Sequence, residues 1–201
     1  MRIVIDGAAG SGKSTFLGTK NITGIPTITD DGYTVFAELI RSSLDKGTKL
    51  GICPPQSYDD WSVLFSIMFD KAKEQHDAGC GDQIYWYDRG MPFISVFANA
   101  HNVSITEQMY SEFKNYLYDY VFIFMPIDSF DLSNNPKGKL KNITLEDRYV
   151  EFERTCRIYQ ALGHTVHVVP VFSDNLTENF QMRLEYIKSI IPELDIRGHY
   201  A

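Results

Sequence analysis

Directly behind the apolar run Ile3-Val4-Ile5, residues 7–14 read Gly7-Ala8-Ala9-Gly10-Ser11-Gly12-Lys13-Ser14: a glycine, four residues, then Gly-Lys-Ser. Few patterns restrict a fold as strongly. Glycines let the backbone curl until successive N–H groups point into one concavity, where a polyphosphate can replace water as their acceptor. Lys13 then supplies a cation for the β- and γ-phosphates and the Ser14 hydroxyl is placed to hold Mg²⁺, with Thr15 next in line. The motif needs a strand before it and a helix after it. Both are legible here, as a strand over Arg2–Asp6 and a helix from Lys13 to about Thr19. Gly7 to Thr15 are therefore expected to cradle the phosphates of a nucleotide, with ATP as donor and Mg²⁺ as its counterion.

Strand and helix signals alternate through the rest of the chain, which predicts an α/β domain with a mainly parallel sheet. A second strand is read at Pro26–Thr29, ending in Asp30-Asp31-Gly32, and a helix over Tyr33–Asp45 from the spacing of Val35, Phe36, Leu39, Ile40 and Leu44. After a loop containing Gly51, Pro54 and Pro55, a longer helix is expected over Tyr58–Asp77 with the stripe Trp61, Leu64, Phe65, Met68, Phe69 and Ala72. A third strand over Gln83–Tyr87 runs into Asp88-Arg89-Gly90, and helices follow near Pro92–Ala100 and Thr106–Tyr118. Tyr120–Met125 has the continuous apolar character of a central strand covered on both faces. Thr144–Leu162 reads as a charged helix entered by a capping box with Asp147 in the usual Glu position; a last strand, Thr165–Val169, and a helix from Leu176 to Ile191 complete the pattern.

At 201 residues and 44% hydrophobic, the chain is long enough for one full core, and it is read as a single domain spanning residues 1–201. Its net charge of −7 gives no general field for nucleic acid or an anionic membrane, so an anionic substrate must be held by a few local cations. Cys53, Cys80 and Cys156 are odd in number and far apart, which argues against a disulfide framework. No long apolar segment suggests a signal peptide or a membrane span, and the expected compartment is the cytoplasm. The histidines show no metal-ligand spacing.

In open parallel α/β sheets the site lies off the carboxyl ends of the strands, so polar residues that terminate strands carry most weight. Asp88 follows apolar residues as a magnesium-binding carboxylate does, and Arg89 offers a planar fork for a phosphate or substrate oxygen. Asp30, with Asp31 beside it, is expected to orient or deprotonate an attacking hydroxyl; an ordinary helix N-cap is the plain alternative for either. The polar stretch within 127–148, with Gly138, Lys137, Lys139 and Lys141, has the composition of a lid. Arg148 is the expected cation over the transferring phosphate; its plain alternative is a solvated helix arginine paired with Glu146, Glu151 or Glu153. The aromatic set Tyr58, Trp61, Phe65 and Phe69 reads first as core and second as a platform for a nucleobase.

On these residues the sequence resembles the P-loop kinases of the nucleoside and nucleotide kinase group, and especially an AAA-type ATPase/kinase family. Ile3–Thr15, Tyr85–Pro92, Tyr120–Pro126 and Asp147–Pro170 carry the likeness. It implies a three-layer fold with a central five-stranded parallel sheet of order 2-3-1-4-5. It also implies that Asp88 and Arg89 handle Mg²⁺ and the acceptor, that an acid after the second strand maps to Asp30 or Asp31, and that lid cations map to Lys137–Arg148.

The resulting expectation is a Mg²⁺- and ATP-dependent kinase acting on a nucleoside, a nucleoside monophosphate or a hydroxymethylpyrimidine nucleotide, with a homodimer left open. Two other classes fit the same donor site. One is a nucleotide-regulated switch, although no guanine-reading Asn/Thr-Lys-X-Asp sequence follows the fourth strand. The other is a kinase for nucleic-acid ends or modified bases in DNA, using Lys137, Lys139 and Lys141, which the net charge disfavours.

Overall fold

The computed structural model describes residues 1–18, 27–31, 33–36, 38–128 and 143–194. Five strands are defined, β1 (Arg2–Gly7), β2 (Thr34–Phe36), β3 (Tyr85–Asp88), β4 (Tyr120–Phe124) and β5 (Val166–Val169). They form one sheet of order β2-β3-β1-β4-β5 in which every pairing is parallel. This is the implied order. Between the strands run α1 (Lys13–Phe16), α2 (Leu39–Lys49), α3 (Tyr58–Ala78), α4 (Phe93–Ala100), α5 (Glu107–Phe113) and α6 (Leu145–Ala161), and α7 (Leu176–Ile190) follows β5.

Alternation along the central strands explains the three layers. Ile3 and Ile5 of β1 face the same side as Trp86, Phe122 and Phe124, where Phe16, Phe180, Leu184 and Ile187 of α1 and α7 cover them. Val4 faces the other way, with Tyr87, Val121 and Ile123, onto Tyr159 of α6. A further cluster joins α2, α3 and α4 through Leu39, Leu64, Phe65, Met68 and Ile94. Ile3, Val4 and Ile5 are all fully buried, which accounts for the unbroken apolar run. Each such side chain contributes about 1.5–3 kcal/mol on leaving water.

Helix starts follow the local chemistry. Thr144 and Asp147 form the expected capping box, with Thr144 Oγ1 accepting from Asp147 N at 3.0 Å and Asp147 Oδ2 accepting from Thr144 N at 2.9 Å. Ser57 and Asp60 form a second box on α3. Thr106 caps α5, its side chain accepting from Met109 N.

One stretch departs from the sequence expectation. The second strand is Thr34–Phe36, whereas Ile28–Asp31 is a 3₁₀ turn and α2 begins only at Leu39. Thr34-Val35-Phe36 is β-branched and aromatic, yet Val35 and Phe36 also stand at helical spacing from Leu39 and Ile40. Pairing with β3, with Phe36 opposite Tyr87, decides in favour of the strand. Asp30 and Asp31 consequently precede β2 and do not end it; their side chains lie outside the described residues. Smaller boundary shifts occur at β3, which reaches Asp88, and at α5, which stops at Phe113.

Parallel register brings the site to one edge. Gly7 is opposite Phe124, Ile5 opposite Asp88 and Phe124 opposite Val169, so the segments leaving β1, β3, β4 and β5 emerge together. The lid stretch lies mainly outside the described residues, and Lys137, Lys139 and Lys141 with it. Among the described residues no disulfide joins Cys53, Cys80 or Cys156. Among the described residues no helix is long and apolar enough to cross a membrane.

Candidate active site

The donor loop has the curl its glycines were expected to give. Gly7, Gly10 and Gly12 all take positive φ, at 140°, 75° and 86°. Gly7 is also forced by contact, since a Cβ there would lie 2.5 Å from the Phe124 carbonyl oxygen. Ser11 N donates to Ala8 O at 3.2 Å, and Ile127 N, beyond the end of β4, donates to Gly10 O at 3.3 Å. Lys13 is buried and its Nζ reaches back to Ala8 O at 3.4 Å. Burial, with Arg89 adding to it, lowers the Lys13 pKa against the opposing pull of Asp88, Glu38 and Glu151.

Ser14 and Asp88, the two residues expected to organise Mg²⁺, come together. Ser14 Oγ donates to Asp88 Oδ2 at 3.1 Å. Two oxygen donors at the phosphate loop suit Mg²⁺, which takes one or two protein ligands and fills its octahedron with water and phosphate oxygens. Among the described residues no group of three or more His, Cys, Asp or Glu is arranged to hold a metal by itself.

Arg89 is the centre of an acidic cluster whose members are far apart in the sequence. Its Nη1 lies 3.1 Å from Asp6 Oδ1 and 3.5 Å from Glu151 Oε1, and its Nε lies 3.3 Å from Glu38 Oε1. The guanidinium also lies over the Phe93 ring, 3.6 Å from its centroid. Desolvation works against the cation, but Asp6, Glu151, Glu38 and Asp88 outweigh it, and the Arg89 pKa rises above its already high ordinary value.

Glu38 replaces Asp30 as the acid behind the second strand. It occupies the N-cap position of α2 but makes no side-chain cap there, turning to Arg89 and to Arg41, 3.1 Å away. Burial raises its pKa, yet Arg89, Lys13 and Arg41 together hold it below the ordinary carboxylate value, so it is ionised at neutral pH. The signal was present in Thr34-Val35-Phe36-Ala37-Glu38, a short β-branched run ending in a carboxylate, but helical spacing obscured it.

Arg148 is not a solvated helix arginine. It is 5% exposed in the first turn of α6, its Nη1 donates to Ile127 O at 3.0 Å, and its Nε is buried without a hydrogen-bond partner among the described residues. Through Ile127 it is linked to Gly10 of the donor loop. Of the aromatic set on α3, Phe65 and Phe69 are core residues, as read first; half-buried Trp61 stacks on Phe65 and packs on His101 at the end of α4, and Phe93 is the ring that lies against Arg89.

Arg183 of α7 was not singled out by its sequence context, since helix arginines are usually exposed. It is fully buried, and its guanidinium donates to Ser11 O at 2.5 Å, Pro170 O at 3.0 Å and Met125 O at 3.1 Å. It ties the donor loop to the ends of β4 and β5. Burial pushes its pKa down to about 9.

The model of a family described as an AAA domain matches residues 2–178. The chain belongs to that family. A search of the curated proteins finds no match. Among solved structures, deoxyadenosine kinase from M. mycoides with dCMP and dCDP superposes with a TM-score of 0.58 at 17% identity, over 96% of this chain and 99% of its own. Thymidylate kinase from Ehrlichia chaffeensis gives 0.57 at 15% identity, over 94% of this chain and 98% of its own. NadR in complex with NR gives 0.62 at 13% identity, over 94% of this chain and 50% of its own. At these identities the likeness establishes the three-layer α/β fold alone. Roles for individual residues have to come from the geometry.

Proposed function

We propose that this AAA-domain protein is an ATP- and Mg²⁺-dependent phosphotransferase that moves the γ-phosphate to a small acceptor: a nucleoside, a nucleoside monophosphate or a hydroxymethylpyrimidine nucleotide. The observation that carries the reading is the Glu38–Arg89 pair at 3.3 Å, within electrostatic reach of Lys13. A nucleotide switch needs only the donor loop. An ionised carboxylate and a guanidinium placed beside that loop provide what an acceptor needs, a group to orient or deprotonate its hydroxyl and a cation to hold its oxygen.

The loop amides from Gly7 to Thr15 and the Lys13 ammonium would hold the β- and γ-phosphates. Glu38 takes the role expected of Asp30, and Arg89 steadies the acceptor. Ser14 and Asp88 would hold Mg²⁺, whose charge offsets that of the phosphate oxygens. Arg148, whose guanidinium bonds Ile127 O next to the loop, would be the cation that meets charge developing on the γ-phosphoryl oxygens. One catalytic domain closed by a lid over residues 127–148, acting on cytoplasmic metabolites, is the simplest enzyme of this design. The structural neighbours that act on nucleosides and nucleotides support this class of acceptor.

Incubation with labelled ATP and a panel of nucleosides, nucleoside monophosphates and oligonucleotides tests the proposal. Label transferred to a small acceptor supports it, and transfer only to oligonucleotides would move the assignment to nucleic-acid ends. Phosphate release that no acceptor alters would overturn the kinase reading in favour of a switch.

A further inference from the structure

We infer that Tyr159 is a positioning residue that fixes Arg89 through both its side chain and its main chain, making α6 a strut between the two sides of the site. This role presupposes the phosphotransferase reading and adds to it the device that aims the acceptor-side cation.

Arg89 is one of two non-glycine residues with positive φ among the described residues, at 74°. A side chain in that conformation persists only where its surroundings over-determine it. Three successive N–H groups of the turn are held: Arg89 N by Ile5 O at 3.1 Å, Gly90 N by the Tyr159 hydroxyl at 2.9 Å, and Met91 N by the Tyr118 hydroxyl at 3.0 Å. The Tyr159 hydroxyl spends its own proton on Asp6 Oδ2, 2.9 Å away, and Asp6 Oδ1 accepts from Arg89 Nη1 at 3.1 Å and from Gly7 N at 2.7 Å. The hydrogen bonds close a ring, from the Arg89 guanidinium through Asp6 and Tyr159 to the backbone of Gly90. The phenol is completely buried, and a Cβ on Gly90 would lie 2.6 Å from its oxygen, so the residue after Arg89 has to be glycine for the phenol to reach the turn.

The same helix face serves both sides of the site. Arg148, Glu151, Thr155 and Tyr159 are spaced by three, four and four residues and so form one stripe along α6. Arg148 bonds Ile127 O next to the donor loop, Glu151 faces Arg89, Thr155 Oγ1 bonds back to Glu151 O at 2.8 Å, and Tyr159 holds Asp6 and Gly90. Any displacement of α6 thus moves the donor-side cation and the support of Arg89 together.

Tyr159→Phe removes one oxygen and keeps the ring. In ¹⁵N–¹H spectra of the full chain, with the Arg89 Nε–H signal assigned by its loss in Arg89→Lys, the variant is expected to exchange the Gly90 amide, which loses its acceptor, about tenfold faster or more, and to exchange Arg89 Nε–H faster as well, because the guanidinium loosens once Asp6 is no longer held. Amides of β4 are expected to keep their protection. Unchanged exchange at Arg89 and Gly90 overturns the assignment, and so does a uniform loss of protection, which marks a merely structural role. If Tyr159→Phe does not fold, Gly90→Ala crowds the same hydroxyl and is expected to give the same local signature, with the same result overturning the role. With an acceptor from the panel, Tyr159→Phe should lower kcat about tenfold while leaving the Kd for Mg·ATP within about twofold, and should add little in an Arg89→Lys background. Additive losses would show that Tyr159 does not act through Arg89. Failure of every acceptor would count against the phosphotransferase reading alone, because the exchange measurement needs none.

Discussion

The Glu38 carboxylate lies 3.3 Å from the Arg89 Nε although the two residues are separated by 51 positions and belong to different strand ends. The pairing exists because β2 and β3 run parallel in register, Phe36 beside Tyr87, which brings the segment after each strand to the same place. Under the proposed function Glu38 is the acid on the acceptor side, and the first expectation follows from it. Glu38→Gln should lower phosphoryl transfer by about 10²–10⁴-fold, the usual contribution of a general base, with ATP binding intact. Asp30→Asn and Asp31→Asn should each cost less than about tenfold on the same scale. Initial rates with labelled ATP and a panel acceptor check both; a larger loss at Asp30 than at Glu38 would restore the assignment made from sequence.

Lys13 is buried, and its ammonium makes a long contact to Ala8 O, at 3.4 Å. Lys13→Ala should abolish transfer and weaken Mg·ATP binding by a factor of about 100 or more, equivalent to about 3 kcal/mol. Titration calorimetry with Mg·ATP measures this directly. Full transfer activity in the variant would exclude the proposed donor site.

Asp6 gives a pH dependence of known sign. Burial raises its carboxyl from 3.8 to about 6, against the opposing effects of Arg89, Lys13, the Gly7 N–H and Tyr159. The folded chain therefore keeps this proton to higher pH than the unfolded chain. The group's contribution to stability is fully present below about pH 4 and is lost as pH rises through about 6, by at most about 3 kcal/mol. Urea unfolding of wild type and Asp6→Asn should show a stability difference that moves against wild type across that window and is level above it. A difference that is constant with pH, or that favours wild type as pH rises, would contradict the assignment.

Arg183 holds three carbonyl oxygens and has Phe124 against its guanidinium, 4.6 Å from the ring centroid. Arg183→Met fills similar space but leaves those carbonyls without their donor. It should destabilise the fold by about 2–4 kcal/mol in urea titrations. Because Ser11 O is one of the three, Mg·ATP affinity should fall as well. Stability loss with unchanged nucleotide affinity would confine Arg183 to the fold.

Much of this protein was determined locally. The donor loop, with Lys13 and Ser14, follows from backbone geometry that only glycines at fixed spacing permit, and the buried strands from apolar runs that no half-exposed strand would carry. The Thr144–Asp147 cap and the strand-terminal position of Asp88 were equally legible. Each depends on residues within a few positions of one another. The resemblance to P-loop kinases supplied the sheet order, which periodicity does not encode.

What tertiary structure decided lies wherever distant residues meet. Thr34–Phe36 satisfies both a strand and a helix pattern, and only a partner in β3 selects the strand; that choice makes Glu38, and not Asp30, the acid that follows the second strand. Arg148 and Arg183 look like surface arginines because sequence shows their charge and helix but not the carbonyls that receive them. Asp6 was hidden inside an apolar strand, and its partners Arg89 and Tyr159 stand 83 and 153 positions away. Burial of charge has no local signature. It becomes visible only when the fold shows which polar groups compensate it.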